Sequence, residues 1–338
     1  MTIALDAMGG DHAPYSIIAG ANEVRCHFPN VRYIFFGKEH EIKPVLEQFP
    51  ALEPLSKIHH TDDVVSAGEK PSVALRSGRN SSMRLAIDAV KAGEAACVVS
   101  AGNTGSLMAM SKFVFHTLHG IDRPAIAALM PNFRGSSVIL DLGANAECSA
   151  ENLFQFAIMG EAFAQVVLGK KDPTVGLLNI GSEELKGNEE VKSAYRMLKE
   201  TDIPINFYGY IEGDAIAKGT VDVIVTDGFT GNVALKTAEG TANVVGGFVK
   251  EAFRRNMVSR IGGLLAYPSL KKMYRKIDPR RYNGAMFLGI NGISVKSHGG
   301  ADEISFANAI MVAIELVANQ INERIVEMIT QKTTATGE

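Results

Sequence analysis

Short apolar runs, rich in branched residues, alternate along this chain with longer segments whose apolar residues recur every three to four positions. Short runs bounded by turn residues are typical of buried strands, and the wider spacing is typical of helices that bury one face. We therefore predict strands at residues 2–5, 31–36, 96–99, 125–130, 137–140, 175–180, 205–208 and 221–225. The same pattern predicts helices at residues 82–92, 107–118, 150–168, 189–200 and 233–253, with one long closing helix over residues 303–328.

The alternation of strands and helices predicts an α/β fold with a largely parallel sheet and helices on both faces. We expect one large α/β unit over residues 1–338, with any division into two lobes near residue 145. Ligands of such sheets bind beyond the carboxyl ends of the strands, and several predicted strands end in glycine, asparagine or aspartate. We therefore expect most of the chemistry to lie along one edge of the sheet.

Composition narrows the function classes. The chain has 338 residues, of which 46% are hydrophobic and 21% charged, and its net charge of −3 does not indicate a nucleic-acid-binding surface. Its three cysteines lie far apart without CxxC spacing, which indicates buried thiols in a reducing compartment. The N-terminus lacks the basic region of a signal peptide, and no apolar stretch approaches the roughly 20 residues of a membrane span. We expect a cytoplasmic protein.

The segment IGSEELKGN, residues 180–188, follows a predicted strand and leads into a predicted helix. Its glycines allow close approach of the backbone, the amides at a helix N-terminus point outward, and Lys186 supplies positive charge. This arrangement predicts a site for a small anion such as phosphate, with Asn188 at the start of the helix.

Four further turns carry polar side chains, and three of them follow predicted strands. SAGNTGS, residues 100–106, predicts an anion site at a helix N-terminus, unless Thr104 or Ser106 simply caps the helix. DAMGGDH, residues 6–12, offers two acids and a histidine that either bind a cation, polarise a nucleophile or only cap a turn. DLGAN, residues 141–145, is either a structural turn or part of the site. In KSHGGAD, residues 296–302, His298 is a candidate because a histidine between serine and glycines is untypical of a core.

The segment DVIVTDGFTGNVALKTAEG, residues 222–240, combines a strand, a turn and a helix. Asn232 and Lys236 are four residues apart, so they share one helix face and are both candidates for contacting an anion at its N-terminus. Asp227, at the end of the strand, is a candidate for orienting a lysine or accepting a proton. No motif of a metal site, a Cys/His pair or a GxSxG elbow is present, so we expect neither a metal nor a cofactor.

Residues 250–281 form a basic amphipathic segment in an otherwise acidic chain. An apolar run at residues 261–267, which includes Leu264 and Leu265, precedes a predicted helix with Lys271, Lys272 and Arg275 on its polar face. The segment is either an ordinary surface helix or a binding surface. As a binding surface it suits an anionic membrane leaflet or an acidic carrier protein.

Seven motifs in order give the chain a close resemblance to a known family. They are DAMGGDHAP, SAGNTGS, RPAIA, LDLGAN, LLNIGSEELKGN, DVIVTDGFTGNVALK and KSHGGAD. Together they resemble the bacterial phosphate acyltransferases of phospholipid synthesis, which make acyl phosphate from acyl-[acyl carrier protein] and inorganic phosphate. The resemblance spans nearly the whole chain. It implies a fold similar to phosphotransacetylases and isocitrate-dehydrogenase-like enzymes, a homodimer, and peripheral attachment to the cytoplasmic membrane.

On this basis we expect bound phosphate to attack the carrier thioester directly, so that positioning and charge compensation are the main tasks of the protein. The residues expected to bind substrate are Gly102, Asn103, Thr104, Asn188, Lys236 and Gly299. The residues expected to be catalytic are Lys186, Asp227, Asn232 and His298, with Asn232 or His298 donating a hydrogen bond to the thioester oxyanion. The alternatives are an isocitrate-dehydrogenase-like oxidoreductase and a non-catalytic scaffold that binds a membrane or an acyl carrier.

Overall fold

The computed structural model describes residues 1–335, and it describes their side chains except at positions 275–277, 279 and 331–335. Eleven strands in the described residues form one sheet. In chain order they are β1 Thr2–Asp6, β2 Arg32–Gly37, β3 Ser56–His60, β4 Cys97–Ser100, β5 Ala125–Asn132, β6 Gly135–Leu140, β7 Val175–Leu178, β8 Phe207–Ile211, β9 Val223–Val225, β10 Ala285–Leu288 and β11 Ile293–Lys296.

The helices cover both faces of this sheet. In chain order they are α1 Tyr15–His27, α2 Glu39–Leu46, α3 Pro71–Ser77, α4 Ser82–Lys91, α5 Thr104–Phe115, α6 Ala150–Val167, α7 Glu189–Glu200, α8 Gly213–Lys218, α9 Gly228–Arg254, α10 Met257–Ile277, α11 Glu303–Ala318 and α12 Ile321–Ala335. The predicted α/β fold with a mostly parallel sheet is confirmed.

The direction of the strands decides where their carboxyl ends lie. The order across the sheet is β3-β2-β1-β4-β11-β10-β5-β6-β9-β7-β8. The strands β3, β2, β1, β4 and β11 are mutually parallel, and so are β6, β9, β7 and β8. The three pairings between these two groups, β11 with β10, β10 with β5 and β5 with β6, are antiparallel. As a result β1, β4 and β11 end at one edge of the sheet, and β6, β9 and β7 end at the opposite edge. The turns that follow these strands therefore do not lie along one edge of the sheet, contrary to the expectation from the sequence.

The chain returns late to its first half, because β11 pairs with β4 and β10 pairs with β5. These pairings join strands from both sides of residue 145 into one sheet, and a division into lobes there stays a prediction. Alternating side chains of the strands point to opposite faces. In β1, Ile3 and Leu5 join the apolar cluster with α1, α6 and α11, whereas Ala4 joins the cluster with α4, α5 and α8.

The predicted single closing helix over residues 303–328 is wrong. The chain forms two helices, α11 and α12, which are bent by 50° relative to each other. Asn319 ends α11, and Gln320 takes a left-handed φ of 52°, which a continuous helix does not allow. In the described residues no single helix is long and apolar enough to cross a membrane, although these two pass that test as a bent pair.

The helices α9 and α10 form a hairpin. Two glycines mark their contact, since a Cβ on Gly263 would lie 2.9 Å from the Phe253 ring and one on Gly246 would lie 2.9 Å from the Tyr274 hydroxyl. The run at residues 261–267 lies inside α10 and does not precede the helix as predicted, because the helix continues through Pro268. Leu264 and Leu265 are 75% and 78% exposed, and Lys271 and Lys272 are exposed as well. Arg275 lies outside the described side chains.

Candidate active site

The first group of polar residues lies where β1, β4 and β11 end. Asp6, the last residue of β1, is buried and accepts hydrogen bonds of 2.6 Å from the hydroxyls of Ser82 and Ser100. Burial raises the pKa of Asp6, while these hydrogen bonds and the charge of Lys296 oppose the shift. The carboxyl group thus ties the start of α4 to the end of β4.

Glycines allow three turns to meet at this edge. A Cβ on Gly9 would lie 2.6 Å from the Gly102 nitrogen, and one on Gly10 would lie 2.8 Å from the Gly299 carbonyl oxygen. The Asp11 nitrogen donates a hydrogen bond of 2.8 Å to that same carbonyl. The motifs DAMGGDH, SAGNTGS and KSHGGAD are therefore brought together, as three neighbouring parallel strands require.

Lys296, the last residue of β11, is buried beneath these turns with 9% of its surface exposed. Its ammonium donates hydrogen bonds to the carbonyl of Ala101, at 3.3 Å, and to the carbonyl of Ser297. Burial lowers the pKa of Lys296 to about 8, the charges of Asp6 and Asp11 oppose this, and the charge of Lys236 adds to it.

Asn103 has a structural role that the sequence did not indicate. Its Oδ1 accepts a hydrogen bond of 2.9 Å from the Ser106 nitrogen, so Asn103 caps α5, and neither Thr104 nor Ser106 does. Its Nδ2 donates to the carbonyls of Ala67 and Glu69 at 2.6 Å and 3.3 Å. Thr104 is exposed at the start of α5.

His298 is exposed on the turn after β11. Its Nδ1 accepts a hydrogen bond of 3.1 Å from the Gly300 nitrogen, so Nδ1 rather than Nε2 contacts the backbone of the turn. The His298 nitrogen donates to Asn283 Oδ1 at 2.9 Å, and Asn283 also donates to the Ser297 hydroxyl at 2.8 Å. Asn283 therefore holds the backbone on which His298 lies.

The second group lies at the opposite edge, where β6 and β9 end. Asp141 is buried, and its carboxylate accepts hydrogen bonds from the backbone nitrogens of Ile126, Gly143, Ala144 and Asn145 and from the Asn145 side chain. Burial raises the pKa of Asp141, and these hydrogen bonds oppose the shift. Asp141 thus organises the DLGAN turn from within.

The first turn of α9 packs directly on the DLGAN turn. A Cβ on Gly228 would lie 2.5 Å from the Asn145 carbonyl oxygen, and one on Gly231 would overlap the Asp141 carbonyl oxygen. Asp227 caps the helix, since its two oxygens accept hydrogen bonds of 2.8 Å from the nitrogen and hydroxyl of Thr230. Asn232 is exposed beside Gly143.

The IGSEELKGN loop lies at the same edge, after β7. Asn188 caps α7 through a hydrogen bond of 2.9 Å from the Val191 nitrogen. Lys186 is exposed, and its carbonyl accepts a hydrogen bond of 3.1 Å from Asn179. Glu184, in the same loop, accepts hydrogen bonds from Tyr195 and Lys199 of α7 at 3.2 Å and 3.0 Å.

The N-termini of α6, α7 and α9 surround an open cleft of about 1000 Å³ at this edge. Asn188 and Asp227 line the cleft with Arg123, which donates a hydrogen bond of 3.2 Å to the Glu147 carbonyl. At the start of α6 the Ala150 nitrogen already has a partner, because it donates a hydrogen bond of 2.9 Å to the Glu190 carboxylate.

The structure therefore divides the predicted site residues between two edges. Those at the β1, β4 and β11 edge are Gly102, Asn103, Thr104, His298 and Gly299; those at the β6, β9 and β7 edge are Lys186, Asn188, Asp227 and Asn232. Lys236 connects the two groups, because it lies on α9 two turns after Gly228 and its charge acts on Lys296. Its ammonium also forms a 2.7 Å ion pair with Glu239.

Lys296 and Arg123 were not among the site residues predicted from the sequence. Both lie inside quoted motifs, KSHGGAD and RPAIA, so their position was visible although their burial and cleft contacts were not. Among the described side chains, no three histidine, cysteine, aspartate or glutamate residues lie together as a metal site would require.

Comparison with known sequences adds an independent line of evidence. The model of a family described as "Fatty acid synthesis protein" matches residues 1–324. A phosphate acyltransferase of Rhodospirillum centenum is 60% identical over 323 residues, which cover 96% of this chain and 91% of that protein. A phosphate acyltransferase of Rhodospirillum rubrum is 55% identical over 331 residues, which cover 98% and 95%.

Solved structures with similar folds include two phosphotransacetylases. The phosphotransacetylase from Streptococcus pyogenes has a TM-score of 0.66 at 15% sequence identity, with 94% of each chain covered. The EutD phosphotransacetylase from Staphylococcus aureus has a TM-score of 0.60 at 16% identity, with 95% of this chain and 94% of that chain covered. These likenesses confirm the predicted phosphotransacetylase-like fold.

Proposed function

This chain belongs to the phosphate acyltransferase family and is an acyltransferase of lipid synthesis, and from that premise we propose that it transfers a fatty acyl group from acyl-[acyl carrier protein] to inorganic phosphate. The identity of 60% over 96% of the chain to a phosphate acyltransferase carries this proposal. Membership of that family favours it over the oxidoreductase and the non-catalytic scaffold considered from the sequence.

In the proposed reaction an oxygen of hydrogen phosphate attacks the thioester carbonyl carbon. The carbon–sulfur bond then breaks, and acyl phosphate and the carrier thiol are formed. Phosphate is already a nucleophile, so the site has to align it and to compensate the charge that develops on the thioester oxygen. We propose that neither a metal nor a cofactor takes part.

We propose that Gly102, Thr104 and Gly299 supply the phosphate cradle and that Lys236, whose charge acts on Lys296 at that edge, provides positive charge there. Lys186 is proposed to add positive charge for the substrates from the opposite edge. The exposure of both lysines supports this role, because a flexible ammonium can follow a small anion. Asn103 shapes the cradle by capping α5, and Asn188 shapes the IGSEELKGN loop at the opposite edge by capping α7.

For the thioester oxygen we propose Asn232 or His298 as the hydrogen-bond donor. Both side chains are exposed, Asn232 in the first turns of α9 and His298 on the turn after β11. Asp227 is proposed to position this machinery. Its support is geometric, because both carboxylate oxygens are engaged by Thr230 at the start of α9.

We further propose that the α9–α10 hairpin attaches the protein peripherally to an anionic membrane and that the protein is a homodimer. The support for attachment is the combination of exposed apolar side chains on α10 with a surplus of lysine and arginine in residues 250–281. An acidic carrier protein is the competing partner for this surface.

The direct test incubates the protein with a fatty acyl-[acyl carrier protein] and labelled inorganic phosphate, with a chelator and without nucleotides. We expect labelled acyl phosphate to appear together with one free carrier thiol per acyl phosphate. A loss of thioester without incorporated label, or no loss at all, would contradict the proposal.

A further inference from the structure

A lysine is buried at the edge where β1, β4 and β11 end, and the binding roles proposed above do not use it. Lys296 is 9% exposed, whereas Lys186 and Lys236 are exposed. Burying an ammonium costs free energy, and a methionine would fill a similar volume without that cost. The hydrogen-bond acceptors of its ammonium are main-chain carbonyls of Ala101 and Ser297.

Those two carbonyls fix the ammonium next to the proposed substrate contacts. Ala101 directly precedes Gly102, and Ser297 directly precedes His298, so the Nζ atom is hydrogen-bonded to the backbone beside the phosphate cradle and beside a candidate oxyanion donor. An ammonium has three N–H groups, and these two carbonyls account for two of them. Among the described residues the third N–H has no hydrogen-bond acceptor, so it is available for a group bound in the turns above.

We propose that Lys296 is a catalytic residue that protonates the sulfur of the departing carrier thiolate and then recovers a proton from the newly formed acyl phosphate. This inference rests on the proposed acyl transfer to phosphate and assigns one step of it.

The protons balance in this scheme. When the carbon–sulfur bond breaks, its electron pair stays on sulfur, and the Lys296 ammonium transfers one proton to that sulfur. The acyl phosphate still carries the proton of hydrogen phosphate and is a stronger acid than an ammonium, so the neutral amine takes this proton. Lys296 ends as an ammonium, and the net result is one acyl phosphate and one thiol.

The surroundings suit a group that exchanges protons near neutral pH. Burial lowers the pKa of Lys296 to about 8, near that of a thiol, and proton transfer is efficient when donor and acceptor are matched in this way. The charged groups that act on it are Asp6 at the end of β1, Asp11 in the following turn, and Lys236 on α9.

The test compares two thioesters of the same fatty acid, one of pantetheine and one of a thiophenol, with labelled phosphate as acceptor. A thiophenolate is a far better leaving group and needs no proton. In K296R, which keeps the charge but does not release a proton near neutral pH, we expect turnover of the pantetheine ester to fall by about 100-fold or more. We expect turnover of the thiophenyl ester to fall by less than about tenfold. K296M should show the same selectivity.

Equal losses with both esters, or no loss with either, would overturn the inference and leave the proposed function intact. If the native protein makes no acyl phosphate from any thioester, the proposed function itself fails. The native protein also provides a test that does not depend on a variant's folding. Its kcat/KM for the pantetheine ester should decline above about pH 8, whereas that for the thiophenyl ester should not; parallel profiles would count against the inference.

Discussion

The side-chain amide of Asn103 donates a hydrogen bond of 2.6 Å to the carbonyl of Ala67, which lies 36 residues earlier in the chain. The same amide group contacts the Glu69 carbonyl at 3.3 Å, and the Oδ1 atom caps α5. One side chain thus fastens the segment before α3 to the SAGNTGS turn.

Two substitutions at Asn103 separate its two roles. Asn103→Asp keeps an acceptor for the α5 cap but replaces the donor by a carboxylate that faces two carbonyls. We expect a loss of about 1–2 kcal/mol in the free energy of unfolding and faster amide hydrogen exchange in residues 62–69. Asn103→Ala removes the cap as well and should cost about 1 kcal/mol more. Unchanged exchange in residues 62–69 of the Asp variant would show that the tie is unimportant.

Gly231 and Gly240 offer a matched pair on α9. A methyl group at Gly231 would overlap the Asp141 carbonyl oxygen, whose turn is held rigid by the hydrogen bonds of the Asp141 carboxylate, so Gly231→Ala should destabilise the protein by several kcal/mol. Gly240 has nothing within 4 Å, and Gly240→Ala should stabilise the helix by about 0.5–1 kcal/mol. Urea unfolding of both variants measures the contrast, and a similar effect of the two would refute the packing argument.

Patterns that act locally were predictable from the sequence, and pairings over long distances were not. The helix predicted at residues 189–200 agrees with α7, because its amphipathic spacing and the Asn188 cap lie within the segment itself. The strands β3, β10 and β11 were not predicted, since short strands are stabilised by their neighbours in the sheet. Because the pairings of β10 and β5 are antiparallel, the strands on either side of them point in opposite directions, and the motifs that follow those strands lie at two edges.

The same limit applies to individual side chains. Lys296 looks like a polar residue of a turn in the sequence, and it is buried only because β4 and the DAMGGDH turn pack around it. The phosphate motifs themselves were visible because glycines and polar residues at strand ends depend on local geometry. Which motifs meet depends on the topology.

Lys186→Ala tests whether the positive charge of the IGSEELKGN loop takes part in the proposed acyl transfer. The main-chain nitrogen of Lys186 donates to the Glu183 carbonyl, and its carbonyl accepts from the Asn179 side chain. Neither hydrogen bond involves the Lys186 side chain, so stability should change by less than about 0.5 kcal/mol. We expect acyl phosphate formation to fall by about 100-fold or more. Lys192→Ala on α7 removes the same charge nearby and is the control. Near-normal turnover of the Lys186 variant would remove this residue from the mechanism.

The apolar surface of α10 predicts how the protein reaches a membrane. Replacing Leu264 and Leu265 with glutamate should weaken binding to anionic vesicles by about two orders of magnitude, because two exposed leucines would no longer enter the bilayer interface. Phe133→Glu changes a side chain that is 92% exposed on the turn between β5 and β6 and should not affect vesicle binding. Undiminished vesicle binding by the double variant would instead favour an acyl carrier as the partner of α10.

Glu161 predicts an unusual dependence of stability on pH. It lies on α6 with 2% of its surface exposed, and its Oε2 has no hydrogen-bond partner among the described residues. Burial, with a smaller effect from the charge of Asp172, raises the pKa of Glu161 from 4.5 to about 7. The folded protein therefore holds this proton more tightly than the unfolded chain does. The contribution of Glu161 to the free energy of unfolding is therefore fully present below pH 4.5 and is lost as the pH rises through 7.

Glu161→Gln removes the titration while keeping the shape of the side chain. The variant and the native protein should have similar free energies of unfolding near pH 4.5, and above pH 7 the variant should be more stable by up to about 3 kcal/mol. Glu200→Gln, which neutralises an exposed carboxyl group on α7, is the control for the change in net charge. Urea unfolding between pH 4.5 and 8 measures the difference at each pH. A difference that stays constant over this range would mean that Glu161 has the same pKa in the folded and the unfolded protein, and that burial does not raise it.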